Sequence, residues 1–202
     1  MLKTRIAVLV SGGGTNLQAL IDAERAGRIP HGEIALVLSN RESAYGLTRA
    51  REAGVPAEVV TRAEGDFEGR ITARLEAHGI QMVILAGFMC ILDRSFTDRW
   101  AGRIINIHPS LIPSFCGEGF YGLHVHEAAL ARGVKWTGAT VHYVNEIADG
   151  GEIILQKPVE VLPGDTPEVL QRRVMEQAEW VILPQAAELV AEQLLQEENG
   201  ND

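Results

Sequence analysis

Short, unbroken apolar runs separated by amphipathic stretches recur along the first half of the chain, and this alternation restricts the fold more than any other feature. The runs cover residues 5–10, 33–38, 57–60, 81–86 and 103–107. They are rich in Val, Ile and Leu and lack the apolar-polar alternation of a half-exposed strand, so they suit strands covered on both faces of a parallel sheet. Between them, helical spacing extends over residues 15–26, 44–53, 67–78 and 93–101. Strand and helix taking turns predicts an α/β fold built of βαβ units in one doubly wound, mostly parallel sheet.

The second half has a different pattern. A short helix over residues 123–132 precedes two strand-like runs, 137–144 and 152–159, joined through Ala148, Asp149, Gly150 and Gly151. A connection that short suits antiparallel neighbours, so the sheet should end in mixed strands. Residues 166–195 are rich in Ala, Glu and Leu and predict a long C-terminal helix, with Thr166 as N-cap and Pro167 in its first turn. Pro184 should kink or split that helix, and the polar residues 197–202 should form a frayed tail.

Composition limits the classes of function. At 202 residues and 46% hydrophobic content the chain suits a single domain. A formal charge of −9 disfavours nucleic acid and anionic lipid as partners. The first apolar run is far shorter than the ~20 residues of a membrane span. Only Cys90 and Cys116 are present, without CxxC spacing, which predicts neither a disulfide framework nor a zinc site and fits a reducing compartment.

Two local patterns carry chemistry. The first strand leads into Ser11, Gly12, Gly13, Gly14, Thr15 and Asn16, where the helix begins. A glycine-rich turn at a helix N-terminus can offer backbone amides and a favourable dipole to phosphate, although such turns also serve tight strand-on-helix packing. Neither a dinucleotide fingerprint nor a P-loop lysine is present. The second pattern is Asn106, Ile107, His108, Pro109 at the end of the fifth run. Alternation along an extended chain sets Asn106 and His108 on one side, and Pro109 holds His108 extended. Taken alone, Asp149 reads as a turn residue and His142 as a packed structural histidine.

The ordered set Asn106 to Pro113, then Gly138 to His142, then Asp149, Gly150 and Gly151 resembles the glycinamide ribonucleotide transformylases, folate-dependent formyltransferases of purine synthesis. The resemblance runs over residues 5–184 and implies a formyltransferase-like, Rossmann-type fold. It implies transfer of a formyl group from 10-formyltetrahydrofolate to the amine of glycinamide ribonucleotide, without a metal. By resemblance Asn106, His108 and Asp149 form the catalytic trio. Gly14, Thr15, Asn16 and Glu179 contact the ribonucleotide, while Met89, Cys90, Ile91, Leu92 and Asn106 line the folate site. The implied organisation is a phosphate-binding half (1–100), a catalytic and folate-binding half (101–196) and a tail (197–202). The implied setting is cytoplasmic, as a monomer or homodimer. Residues 114–124 are longer than the commonest family version, and their glycines and aromatics suit a mobile flap or a rigid surface loop. A formyl-folate hydrolase and a non-catalytic phosphometabolite-binding protein are the alternatives.

Overall fold

The computed structural model describes residues 2–200. Its seven strands, β1 (Thr4–Val10), β2 (Gly32–Ser39), β3 (Ala57–Val59), β4 (Met82–Leu85), β5 (Ile104–His108), β6 (Trp136–Tyr143) and β7 (Ile153–Glu160), form one sheet in the order β3-β2-β1-β4-β5-β6-β7. The pairs from β3 through β5 are parallel, while β5 with β6 and β6 with β7 are antiparallel. The expected mostly parallel sheet with mixed C-terminal strands is what the chain forms. The helices are α1 (Thr15–Arg25), α2 (Tyr45–Ala53), α3 (Phe67–Ala77), α4 (Arg94–Arg99), α5 (Leu123–Arg132), α6 (Pro167–Val174) and α7 (Trp180–Gly200).

The apolar runs are continuous because both faces of the sheet are covered. Ile6, Val8 and Val10 of β1 pack in one layer with Leu17, Leu20 and Ile21 of α1 and Leu183, Ala187 and Val190 of α7. Ala7 and Leu9 pack in the other, with Phe67, Ile71 and Leu75 of α3 and Phe96 of α4. Successive side chains of one strand thus enter opposite layers, as the period of two requires. β7, at the edge, alternates mostly between exposed and half-buried positions.

The C-terminal helix departs from expectation in two places. Thr166 does cap α6, its Oγ1 accepting from Val169 N at 3.3 Å. The break in regular geometry, however, is a π turn at Met175–Glu179, and α7 runs through Pro184. Pro184 lies in the second turn of α7, so the i→i−4 bond its missing N–H would have made falls at the start of that helix, next to the π turn. The expected tail is also shorter, because residues 197–200 continue α7; residues 201–202 lie outside the described residues.

Candidate active site

The chain starts in the middle of the sheet, winds outward through β2 and β3, then returns to place β4 on the other side of β1. In such a sheet the connections leaving β1 and β4 diverge and open a crevice at the carboxyl ends of the strands. The two segments that leave there are stitched together. Ser11 N donates to Gly87 O at 3.1 Å, and Ser11 Oγ accepts from Met89 N at 2.7 Å while donating to Asn40 Oδ1 at 2.6 Å. Asn40 Nδ2 then reaches Cys90 Sγ at 3.1 Å. Of the residues expected to line the folate site, Met89 and Ile91 are exposed, Cys90 is half-buried, and Leu92 is buried beside Phe96.

Asn106 and His108 sit on one face of β5, and the antiparallel register sets His142 opposite Asn106 and Thr140 opposite His108. Cross-strand partners share a face, so His142 joins the cluster. Its Nδ1 lies 2.7 Å from Tyr143 O, which can only accept, so Nδ1 carries the proton in the neutral ring and Nε2 is the acceptor. That Nε2 is 3.2 Å from Asn106 Nδ2. Asp149 closes the group, with Oδ1 3.5 Å from both Asn106 Nδ2 and His142 Nε2 and Oδ2 3.4 Å from His108 Nδ1. Asp149 adopts φ 55°, a left-handed conformation that Asp tolerates better than most residues. Its turn is held close to β6, where a Cβ on Gly151 would stand 1.7 Å from Tyr143 O.

The charges in this cluster oppose its burial. Burial acts to raise the Asp149 pKa, but the neighbouring His142 and His108 rings and the Gly117 amide, which donates to Oδ2 at 2.9 Å, together hold it below the ordinary carboxylate value. For His108, burial is the largest influence and lowers its pKa, against the Asp149 charge and the Phe115 carbonyl, which lies 2.8 Å from Nε2. Because that carbonyl only accepts, Nε2 carries a proton, and the nitrogen open to a second proton is Nδ1, facing Asp149.

A second polar group forms where α1 meets the π turn. Asn16 Nδ2 donates to Glu179 Oε2 at 2.7 Å, and Thr15 Oγ1 contacts Met175 Sδ at 3.9 Å. Burial lifts the Glu179 pKa to about 7 against the pull of the Asn16 bond. Asn16 Oδ1 is buried without a partner among the described residues. Gly14 is the N-cap of α1, at φ 69°.

A formyl transferase family model matches residues 4–187. The phosphoribosylglycinamide formyltransferase of Haemophilus influenzae is 44% identical over 184 residues, covering 89% of this chain and 84% of that protein. The chain belongs to the formyl transferase family, among its phosphoribosylglycinamide formyltransferases. The human trifunctional purine biosynthetic protein adenosine-3 is 45% identical over 98% of this chain, which spans only 19% of that protein's length. Among solved structures, glycinamide ribonucleotide transformylase 1 from Symbiobacterium toebii superimposes with a TM-score of 0.88 at 46% identity, over 95% of this chain and 89% of that one.

In this formyl transferase the trio expected from the sequence comes together, and so does Asn16 with Glu179, but no hydrogen bond or ion pair among the described residues joins the two groups directly. By sequence alone His142 reads as a structural histidine. The signal that could have included it was the alternation of Ala139, Thr140, Val141 and His142, once β6 was paired antiparallel to β5. The contacts of Phe115 O and Gly117 N with His108 and Asp149 had no sequence signal, since any residue supplies a backbone carbonyl or amide. Among the described residues, the side chains grouped as a metal could require are His31, Glu188 and Glu192, near the amino end of β2 and outside the Asn106–His108–Asp149 cluster. No helix among them is long and apolar enough to cross a membrane.

Proposed function

We propose that this chain transfers the formyl group of 10-formyltetrahydrofolate to the amine of glycinamide ribonucleotide, in the cytoplasm and without a metal. The observation that carries the reading is the convergence of Asn106, His108 and Asp149 at the carboxyl end of β5, in a chain 44% identical to a protein that bears the name of this activity. The amine attacks the formyl carbon, and negative charge develops on the formyl oxygen. One Asn106 N–H is held by His142; the other faces Asp149 at 3.5 Å, a long contact that an oxyanion at hydrogen-bond distance would replace.

His108, neutral at rest because of its burial, takes up the proton that the amine loses. Its open nitrogen, Nδ1, lies on the Asp149 side, so the proton arrives by way of a water held at that carboxylate. The resulting imidazolium is stabilised by Asp149 and adds positive charge beside the oxyanion. It then returns the proton to the departing folate nitrogen. For Nε2 to take part, the Phe115 carbonyl must release it, which gives residues 114–124 the part of a flap.

Gly14, Thr15, Asn16 and Glu179 bind the ribonucleotide, its phosphate lying at the glycine loop and its sugar near the Asn16–Glu179 pair. Residues 89–92 line the folate side. The test is a spectrophotometric assay of purified protein with 10-formyl folate, run with and without glycinamide ribonucleotide. Formylated ribonucleotide formed only when the amine is present supports the assignment. Formate release that ignores the amine would mean a hydrolase, and no turnover would leave a binding protein.

A further inference from the structure

Two successive carbonyls of the glycine loop are tied to the same neighbouring helix. Gly46 N donates to Gly12 O at 3.0 Å, and Arg49 Nε donates to Gly13 O at 2.8 Å. Both donors belong to α2. A planar trans peptide points its N–H opposite to its C=O. Fixing the carbonyls of Gly12 and Gly13 on α2 therefore turns the amides of Gly13 and Gly14 the other way, side by side. Adjacent amides exposed in this manner, with Gly14 in the left-handed region, make an anion-accepting concavity. Among the described residues neither amide donates to the protein.

Arg49 also brings charge to this place. Its Nη1 donates to Gln18 Oε1 on α1 at 3.2 Å, and the guanidinium lies 5.1 Å from the centre of the Tyr45 ring. Its hydrogen-bond partners are the Gly13 carbonyl and the Gln18 amide, and among the described residues no carboxylate pairs with it. The loop cannot take this fixing from a side chain of its own, because a Cβ at Gly14 would stand 2.6 Å from Gly46 Cα. Close approach of α2 requires glycine, and α2 supplies the donors.

We propose that Arg49 is a positioning residue for the acceptor's phosphomonoester. It pins the Gly13 peptide so that the Gly14 amide faces the phosphate, and its charge draws the dianion to the loop. This inference rests on the reading of the acceptor as phosphorylated.

Arg49→Met and Arg49→Lys test it at saturating formyl folate, with circular dichroism to confirm folding. Arg49→Met should raise KM for glycinamide ribonucleotide about tenfold or more, leave kcat within about threefold and leave KM for formyl folate unchanged. Arg49→Lys should recover part of the loss, since an ammonium supplies the charge and one donor. In parallel, inorganic phosphate should raise the thermal midpoint of the wild type and do so only at about tenfold higher concentration in Arg49→Met.

A folded Arg49→Met with unchanged acceptor KM and unchanged phosphate response overturns the proposal, as does a variant altered only in thermal midpoint. If phosphate binding depends on Arg49 but glycinamide ribonucleotide is not formylated, the acceptor assignment fails and the role of Arg49 stands. A wild type indifferent to phosphate removes both the phosphate subsite and the role of Arg49 in it.

Discussion

Glu179→Gln separates the charge of one buried carboxyl from its shape. Glu179 is 6% exposed, and burial lifts its pKa from 4.5 to about 7 despite the Asn16 bond. A pKa higher in the folded state means that the fold prefers the protonated form. The associated stability is complete below about pH 4.5, where folded and unfolded chains both hold the proton, and is lost as pH rises through about 7, because the unfolded chain gives its proton up first. At about 1.4 kcal/mol per pH unit, the span from 4.5 to about 7 corresponds to about 3 kcal/mol, of which about 2 to 3 kcal/mol falls between pH 5 and pH 8. Glutamine keeps a carbonyl oxygen for Asn16 Nδ2 and does not titrate. Any fixed cost of its amide is the same at every pH. The stability of the variant relative to wild type should therefore climb by about 2 to 3 kcal/mol from pH 5 to pH 8, or about 5–10 °C in Tm for a chain of this size. Urea denaturation of both proteins at several pH values measures this, and taking the difference cancels the other titrating groups. A difference that stays flat across the range would refute the argument.

Asn106→Ala, His108→Ala and Asp149→Asn should each lower kcat, by about 10²-fold or more for the oxyanion donor and the proton carrier, with acceptor KM changed little; steady-state kinetics decide, and undiminished turnover in all three removes the mechanism. Asparagine also tolerates the left-handed φ of residue 149, so Asp149→Asn probes the charge without straining the turn. His142→Leu keeps the packing but removes the acceptor that orients Asn106; kcat should fall about tenfold, and combining it with Asp149→Asn should cost less than the sum of the two, whereas strict additivity would place His142 outside the cluster. Gly14→Ala forces a Cβ to 2.6 Å from Gly46 Cα at φ 69°, at about 1–2 kcal/mol for the backbone alone; urea denaturation should show the loss and kinetics a raised acceptor KM, and a variant unchanged in both contradicts the close approach.

Much of the fold was legible because its signals are local. The two-layered burial of β1 to β5 appears in the chain as unbroken Val, Ile and Leu, and the capping of α6 as Thr166 followed by Pro167. The site was legible in part. Asn106 and His108 share a face by alternation alone, but the place of Asp149 in their cluster rested on resemblance, since a left-handed aspartate in a glycine turn looks the same whether or not a histidine lies near it. The break in the C-terminal helix was expected at Pro184 and occurs at Met175–Glu179, the turn in which Glu179 meets Asn16 of α1.

The sequence by itself thus determined the strands and most helix boundaries, the presence of a glycine turn after the first strand, and the chemical types available at the ends of the strands. These follow from backbone sterics and from side-chain periodicity, which act over a few residues. Only the tertiary structure decided which polar groups meet: His142 opposite Asn106 through the β5–β6 register, Arg49 on Gly13 through the docking of α2, and the pKa of Glu179 through burial. Register, docking and desolvation depend on distances between segments far apart in the chain, and no local pattern encodes them.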